Sequence, residues 1–318
     1  MTVRLAVTVG DPAGIGPEVV LKALAAPERP AAAFVVYGPA RALDDCARRL
    51  GLRPLDALGV ERVDVGGAPV PLGRASAEGG AAAAAAVLAA VRDALAGRVD
   101  GLVTAPLNKE ALRLAGHPWP GHTEMLAEAA GAPDVAMMFV GGGLRVALLT
   151  IHRPLRTVGD AITPELVKRI VRLVQRELPR FGARGPIAVC GVNPHAGENG
   201  LLGSEEGAVL EPALRALRSE GVDVAGPFPA DSLFVRAARG EFAAVIAAYH
   251  DQGLVPVKLA SFGHAVNVTL GLPFVRTSVD HGTGFDIVEK GTASETSLLE
   301  AMKVAVELAG RGPAPGPA

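Results

Sequence analysis

AAVIAAYHDQGLVPVK, residues 243–258, runs from apolar to polar within one short stretch. Residues 243–248 read as a buried strand. Tyr249, His250, Asp251 and Gln252 follow at its end, with Gly253 as a turn. Continuous apolar runs of this kind belong to parallel sheets covered by helices on both sides. The rest of the chain repeats the arrangement. Strand-like runs are VRLAVTVG, FVVYG, GLVTAP, VAMMFV, LRVALLTIH, PIAVCGVNP and AVNVTLGLPFVRTS. Helix-like segments cover 17–25, 41–50, 81–96, 109–115, 123–130, 164–177, 210–219 and 293–308. The alternation predicts an α/β protein with a largely parallel sheet. FVGGGLRVALLT, with Gly141, Gly142 and Gly143 between two β-like runs, predicts one antiparallel hairpin.

The bulk properties narrow the function. At 318 residues the chain is long enough for two domains. A net charge of −2 and the lack of a basic block with interleaved aromatics give no footprint for nucleic acid or an anionic membrane. Cys46 and Cys190 are the only cysteines and are far apart, which fits a reducing cytoplasm. The N-terminus reads as a strand, not a signal peptide. The alanine-rich run at 79–97 reads as a packed helix, too short in its apolar part to span a membrane. The tail GRGPAPGPA is expected to be frayed.

His250 has company. His152 ends LRVALLTIH and His195 follows PIAVCGVNP, so three of the seven histidines stand at or just past strand ends. In open α/β sheets ligands bind outside the carboxyl ends of the strands. Three imidazoles around an open position suit a catalytic divalent metal. Their spacings of 43 and 55 residues form no compact motif, and a histidine satisfied by loop backbone is the plain alternative. Thr104, Asn108 and Lys109 also end a strand, and His122 with Thr123 follows the Pro120–Gly121 turn at a helix N-cap, where capping alone accounts for Thr123. Lys258, Asn267 and Arg276 surround one strand pair, where the cations suit a phosphate or carboxylate unless they are solvated surface charges.

VTVGDPAGIGPEVVLKAL, residues 7–24, has strand, glycine-rich turn and helix, but Gly10, Gly14 and Gly16 do not form GxGxxG. Glu18 at the helix start opposes a phosphate there. An ordinary dinucleotide fold is therefore rejected, and Asp11 is left to serve a cofactor or an active-site water, or simply the turn.

Taken together, TVGDPAGIGPE, TAPLNKEAL, PGHTE, NPHAGENG, YHDQGL and NVTLGLPFVRTSVDHGTGFDI resemble the 4-hydroxythreonine-4-phosphate dehydrogenases of pyridoxal phosphate biosynthesis, from residue 5 to about 308. The resemblance implies a two-domain α/β/α fold similar to isocitrate and isopropylmalate dehydrogenases, with the active site in the interdomain cleft. The domains are expected at 1–124 plus 276–318 and at 125–275. His152, His195 and His250 match the family's metal positions, for zinc, magnesium or cobalt. His122, Thr123, Lys258, Asn267 and Arg276 match its substrate positions. Asp231, in PADSLF, matches an acidic residue near the metal and is the candidate base. The resemblance further implies NAD or NADP as cofactor and a homodimer whose active site is shared between subunits.

The implied reaction oxidises 4-phosphooxy-L-threonine to a 3-oxo acid, which decarboxylates to 3-amino-2-oxopropyl phosphate. GENGLLGSEE differs from the GEGGHMGTEE style of some members. The substrate is therefore open to other 4-phosphorylated four-carbon acids, phosphothreonate or phosphoerythronate, or to an aromatic cis-dihydrodiol carboxylate. A metal-dependent hydrolase and a non-catalytic binding protein are the readings from other classes.

Overall fold

Short apolar runs separated by helix formers give eleven strands in the computed structural model, which describes residues 2–312. In chain order they are β1 (Arg4–Thr8), β2 (Ala33–Gly38), β3 (Glu61–Asp64), β4 (Gly101–Thr104), β5 (Ala136–Gly141), β6 (Leu144–Leu148), β7 (Ile187–Cys190), β8 (Val224–Phe228), β9 (Ala244–Ala247), β10 (Val266–Leu270) and β11 (Val275–Ser278). Residues 313–318, most of the tail expected to fray, lie outside the described residues.

The chain divides into two compact units, residues 2–135 with 272–312 and residues 136–271. The divisions fall later than 124 and earlier than 276. The helix His122–Ala129 packs on the long helix Ala77–Leu95 and so stays with the first unit.

In the first unit the strands run β3-β2-β1-β4-β11, all parallel. Every residue of β4 and β11 is buried, as central strands of a covered parallel sheet require. The alanine-rich run forms the helix Ala77–Leu95. Ser76 caps it by accepting from the Gly79 amide at 3.1 Å. Its small side chains let it lie close to the helix Lys109–Leu114: a Cβ at Gly80 would stand 2.0 Å from the Ala111 carbonyl oxygen.

In the second unit the order is β10-β5-β6-β9-β7-β8. β5 is antiparallel to both neighbours, and the hairpin at Gly142 and Gly143 has both residues at positive φ. β6, β9, β7 and β8 are mutually parallel. Val146, Leu148, Ala188, Val245 and Ala247 form the buried floor under Leu254 and Val257. These last two belong to the helix His250–Ser261, which replaces the turn expected at Gly253. Gly253 serves close packing instead. A Cβ there would meet Leu148 Cδ2 at 2.7 Å, so only glycine lets the helix settle on the sheet. Among the described residues no helix is long and apolar enough to cross a membrane.

Candidate functional site

The order β6-β9-β7 sets three parallel strands side by side, and these are the strands that lead to His152, His250 and His195. Residues 98 positions apart in sequence thereby become neighbours; the Thr150 hydroxyl donates to the Ala248 carbonyl at 2.8 Å. The His152 and His250 rings stand 5.8 Å apart between centroids. Two imidazoles sharing one ion through bonds of about 2.1 Å hold their centroids within about 6.5 Å of each other, so this pair fits a common cation. His250 Nδ1 lies 2.7 Å from Asp251 Oδ1. With the proton on Nδ1 and donated to Asp251, Nε2 keeps its lone pair for a metal.

His195 lines a cavity of about 340 Å³ together with Asp231, Tyr249 and Gln252. Its ring is 67% exposed, and Nδ1 stands 4.0 Å from Glu198 Oε2. Among the described residues no group of three His, Cys, Asp or Glu is already gathered as for a metal ion. The donor set nevertheless suits one: imidazoles bind zinc and cobalt well, and carboxylates stand beside them.

The backbone around His195 is unusual. His195, Ala196, Glu198 and Asn199 all have φ between 44° and 55°, the left-handed region. Each such non-glycine residue costs about 1–2 kcal/mol, so the surroundings must over-determine the turn. Two residues that sequence reading did not assign do so. The buried Glu206 carboxylate accepts from the Val192 and Asn193 amides at 2.7 and 2.8 Å and from Asn193 Nδ2 at 3.0 Å. Gln252 donates to the Gly191 carbonyl at 2.8 Å and accepts from the Ala248 amide at 2.7 Å, tying the end of β7 to the end of β9. Lys258 is exposed on the helix that begins at His250, and Asn267 lies within β10 with its Oδ1 buried and lacking a hydrogen-bond partner among the described residues.

The first unit holds a second cluster. Arg276, in β11, is 1% exposed and is the largest fully buried side chain; it donates to Thr104 Oγ1 at 2.7 Å. Burial pushes its guanidinium down to about 9. His122 is held well below the usual histidine range by burial first and by the Arg276 charge second, so the ring is neutral. Its Nε2 is buried without a hydrogen-bond partner among the described residues. The helix at His122 starts from Gly121 with no side-chain cap, so Thr123 is not the cap expected of it.

The glycine-rich turn after β1 is explained by close backbone contacts. A Cβ at Gly10 would lie 2.0 Å from the Pro106 oxygen, and one at Gly16 would lie 1.9 Å from the Val9 oxygen. Glu18 accepts from Lys22 Nζ at 2.7 Å and from the Ala293 amide at 3.0 Å, a structural tie. Asp11 is fully buried. Burial raises its carboxyl to about 6 against the lowering effect of the Ala13 amide, which donates to Oδ1 at 2.9 Å. Beside this turn a cavity of about 250 Å³ opens past the ends of β1, β2 and β3, lined by Pro12, Gly14, Pro39, Gly67, Leu72 and Val288 among others.

Known proteins of one family match the chain over nearly its whole length. The family model described as pyridoxal phosphate biosynthetic protein PdxA matches residues 29–305. The chain is 48% identical to a 4-hydroxythreonine-4-phosphate dehydrogenase of Chromobacterium violaceum, covering 96% of this chain and 97% of that one. It is 47% identical to a D-threonate 4-phosphate dehydrogenase of Cupriavidus necator, with the same coverage of 96% and 97%. A crystal structure of 4-hydroxythreonine-4-phosphate dehydrogenase from Klebsiella pneumoniae superposes with a TM-score of 0.88 at 40% identity, covering 97% of this chain and all of that one.

Proposed function

Since the chain belongs to the PdxA family, we propose that it is a nicotinamide-dependent dehydrogenase that oxidises the secondary alcohol of 4-phosphooxy-L-threonine to a 3-oxo acid, which then loses carbon dioxide. The observation that supports this most is the side-by-side placement of the His152, His250 and His195 strand ends. A hydrolase built on the same imidazoles is disfavoured, because the relatives are named dehydrogenases.

His152, His195 and His250 would hold one divalent ion, zinc, cobalt or magnesium. When bound, the ion would supply Lewis acidity toward the substrate alcohol, and NAD or NADP would supply the hydride-accepting chemistry. Asp231, in the cavity with His195, takes the alcohol proton on its carboxylate, directly or through water. Arg276 is assigned to an anionic end of the substrate, whose carboxylate or phosphate its planar guanidinium suits. Neutral His122, with Thr123, adds hydrogen bonds without competing for the anion. Lys258 and Asn267 are assigned to substrate binding on the family match of their positions. The cavity beside Asp11 is assigned to the cofactor.

The chain is read as a homodimer. Val255, Leu259 and Phe262 are 63, 72 and 86% exposed; the first two stand one turn apart on the helix that begins at His250, and Phe262 follows at its C-cap. A second copy covering this stripe would stand beside His250 and share the site. The buried free cysteines Cys46 and Cys190 support a reducing, cytoplasmic setting.

The second reading is D-threonate 4-phosphate as substrate, favoured by the near-equal identity to the Cupriavidus necator enzyme. Both acids, each with NAD and with NADP, form the deciding panel, read as cofactor reduction. Chelation is expected to abolish turnover and added zinc or cobalt to restore it. Full turnover after verified metal removal would overturn the metal assignment, and no reduction with any pair would overturn the dehydrogenase reading.

A further inference from the structure

Glu206 lies seven residues beyond Asn199, the last non-glycine left-handed position near His195, and does not itself line the cavity. It is nevertheless 3% exposed, an uncommon position for a carboxylate. Three of its contacts converge on one dipeptide. Oε1 accepts from the amides of Val192 and Asn193, and Oε2 accepts from the Asn193 side chain. The fit around it is close. A Cβ at Gly197 would lie 2.6 Å from Oε2, one at Gly191 would lie 3.1 Å from Oε1, and one at Gly203 would lie 2.2 Å from Asn193 Nδ2. Glu205 adds a second hold, accepting from the same Asn193 Nδ2 at 2.8 Å. The segment so gripped leads directly into the left-handed run that begins at His195.

We propose that Glu206 is a positioning residue for His195: its carboxylate holds residues 192–193 so that the left-handed turn keeps the imidazole in the cavity with Asp231. The inference rests on the reading of His195 as a metal ligand only for its functional consequence. The grip itself is independent of that reading. It acts through hydrogen-bond reach, not through charge at the metal.

Two variants separate reach from charge. Glu206→Gln keeps an oxygen that accepts from both amides and gives up one bond to Asn193. Glu206→Asp keeps the charge but withdraws the carboxylate by about one carbon–carbon bond. Hydrogen exchange at the Val192 and Asn193 amides reads the grip, and Co²⁺ titration followed by its visible spectrum reads the consequence, with His195→Ala as reference. Exchange is expected to rise about tenfold or more in Glu206→Asp, with Co²⁺ affinity down about 10–100-fold, the usual scale for residues supporting a ligand. Glu206→Gln is expected to stay near the parent chain in both. Unchanged amide exchange in Glu206→Asp, or a Gln variant worse than the Asp variant, would overturn the positioning role. If His195→Ala leaves Co²⁺ affinity unchanged, the metal assignment of His195 fails; amide exchange then still decides whether Glu206 holds the turn.

Discussion

Arg276→Met sets stability against function at one buried atom group. The guanidinium is 1% exposed, and burial brings it down to about 9. That is a fall of at least three decades from the ordinary arginine value, at about 1.4 kcal/mol per decade, so the charged side chain costs the empty fold about 4 kcal/mol. Because the folded value is depressed, the cost is fully present below pH 9 and is relieved as the pH rises above it. Methionine has a similar length and no charge. The substitution removes the 4 kcal/mol and loses the guanidinium's own bonds, the one to Thr104 Oγ1 among them, each worth about 1.5–3 kcal/mol for a charged donor. The gain and the losses nearly cancel, so the net expectation is a change within about 2 kcal/mol at pH 7, or within about 5 °C in Tm for a unit of this size. The anionic end of the substrate loses a two-pronged donor worth about 3 kcal/mol, so its KM should rise about 100-fold. Arg276→Lys keeps the charge without the planar fork and should fall between. Thermal melts of the variant at pH 7 and pH 10, with KM for the phosphorylated acid and for the nucleotide, make the test. A Tm lowered by more than about 5 °C with KM unchanged would mean that Arg276 is a packing residue, and the reasoning fails.

Much of this arrangement is legible in the sequence because buried parallel strands write themselves as unbroken apolar runs. Residues 244–247 and 187–190 are buried throughout, and both were readable as strands for that reason. Neither β3 nor β8 was anticipated. Each has one strand partner, and their residues ERVD and VAGPF are largely exposed or half-buried, so no alternation marks them. The helix His250–Ser261 was hidden by Gly253 and Pro256, which both read as breakers. Tertiary packing of Gly253 against Leu148 overrides that local preference. The strand-end histidines were visible one by one. Their adjacency was not, because it follows from the strand order β6-β9-β7, which no local pattern encodes. Glu206 and Gln252 were invisible for a related reason. Their partners, Val192 and Gly191, offer backbone atoms, and a backbone acceptor or donor carries no residue identity. The signal that could have pointed to Glu206 was the density of glycines at 191, 197 and 203 just before a Glu-Glu pair, a sign of close packing around something buried.

Two further expectations concern buried charge and exposed apolar surface. Burial raises the Asp11 carboxyl to about 6, so its charged form weakens the fold above that pH and the penalty vanishes below about pH 4. Asp11→Asn, which still accepts from the Ala13 amide, should therefore raise Tm at pH 8 by the equivalent of about 3 kcal/mol and leave it nearly unchanged at pH 4; an equal effect at both pH values would refute burial as the cause. The stripe of Val255, Leu259 and Phe262 is the last case. Phe262 sits in the left-handed region at the helix end with φ of 49°, where a bulky side chain is unfavourable, yet it is almost fully exposed. Covering it with a second copy explains both features, and Leu259→Asp with Phe262→Asp should convert the protein to monomers by light scattering without lowering the helix content. Activity should fall with the dimer, because the same helix begins with His250. A parent chain that is already monomeric at micromolar concentration, or a doubly substituted chain that remains dimeric, would show that the stripe is not the interface.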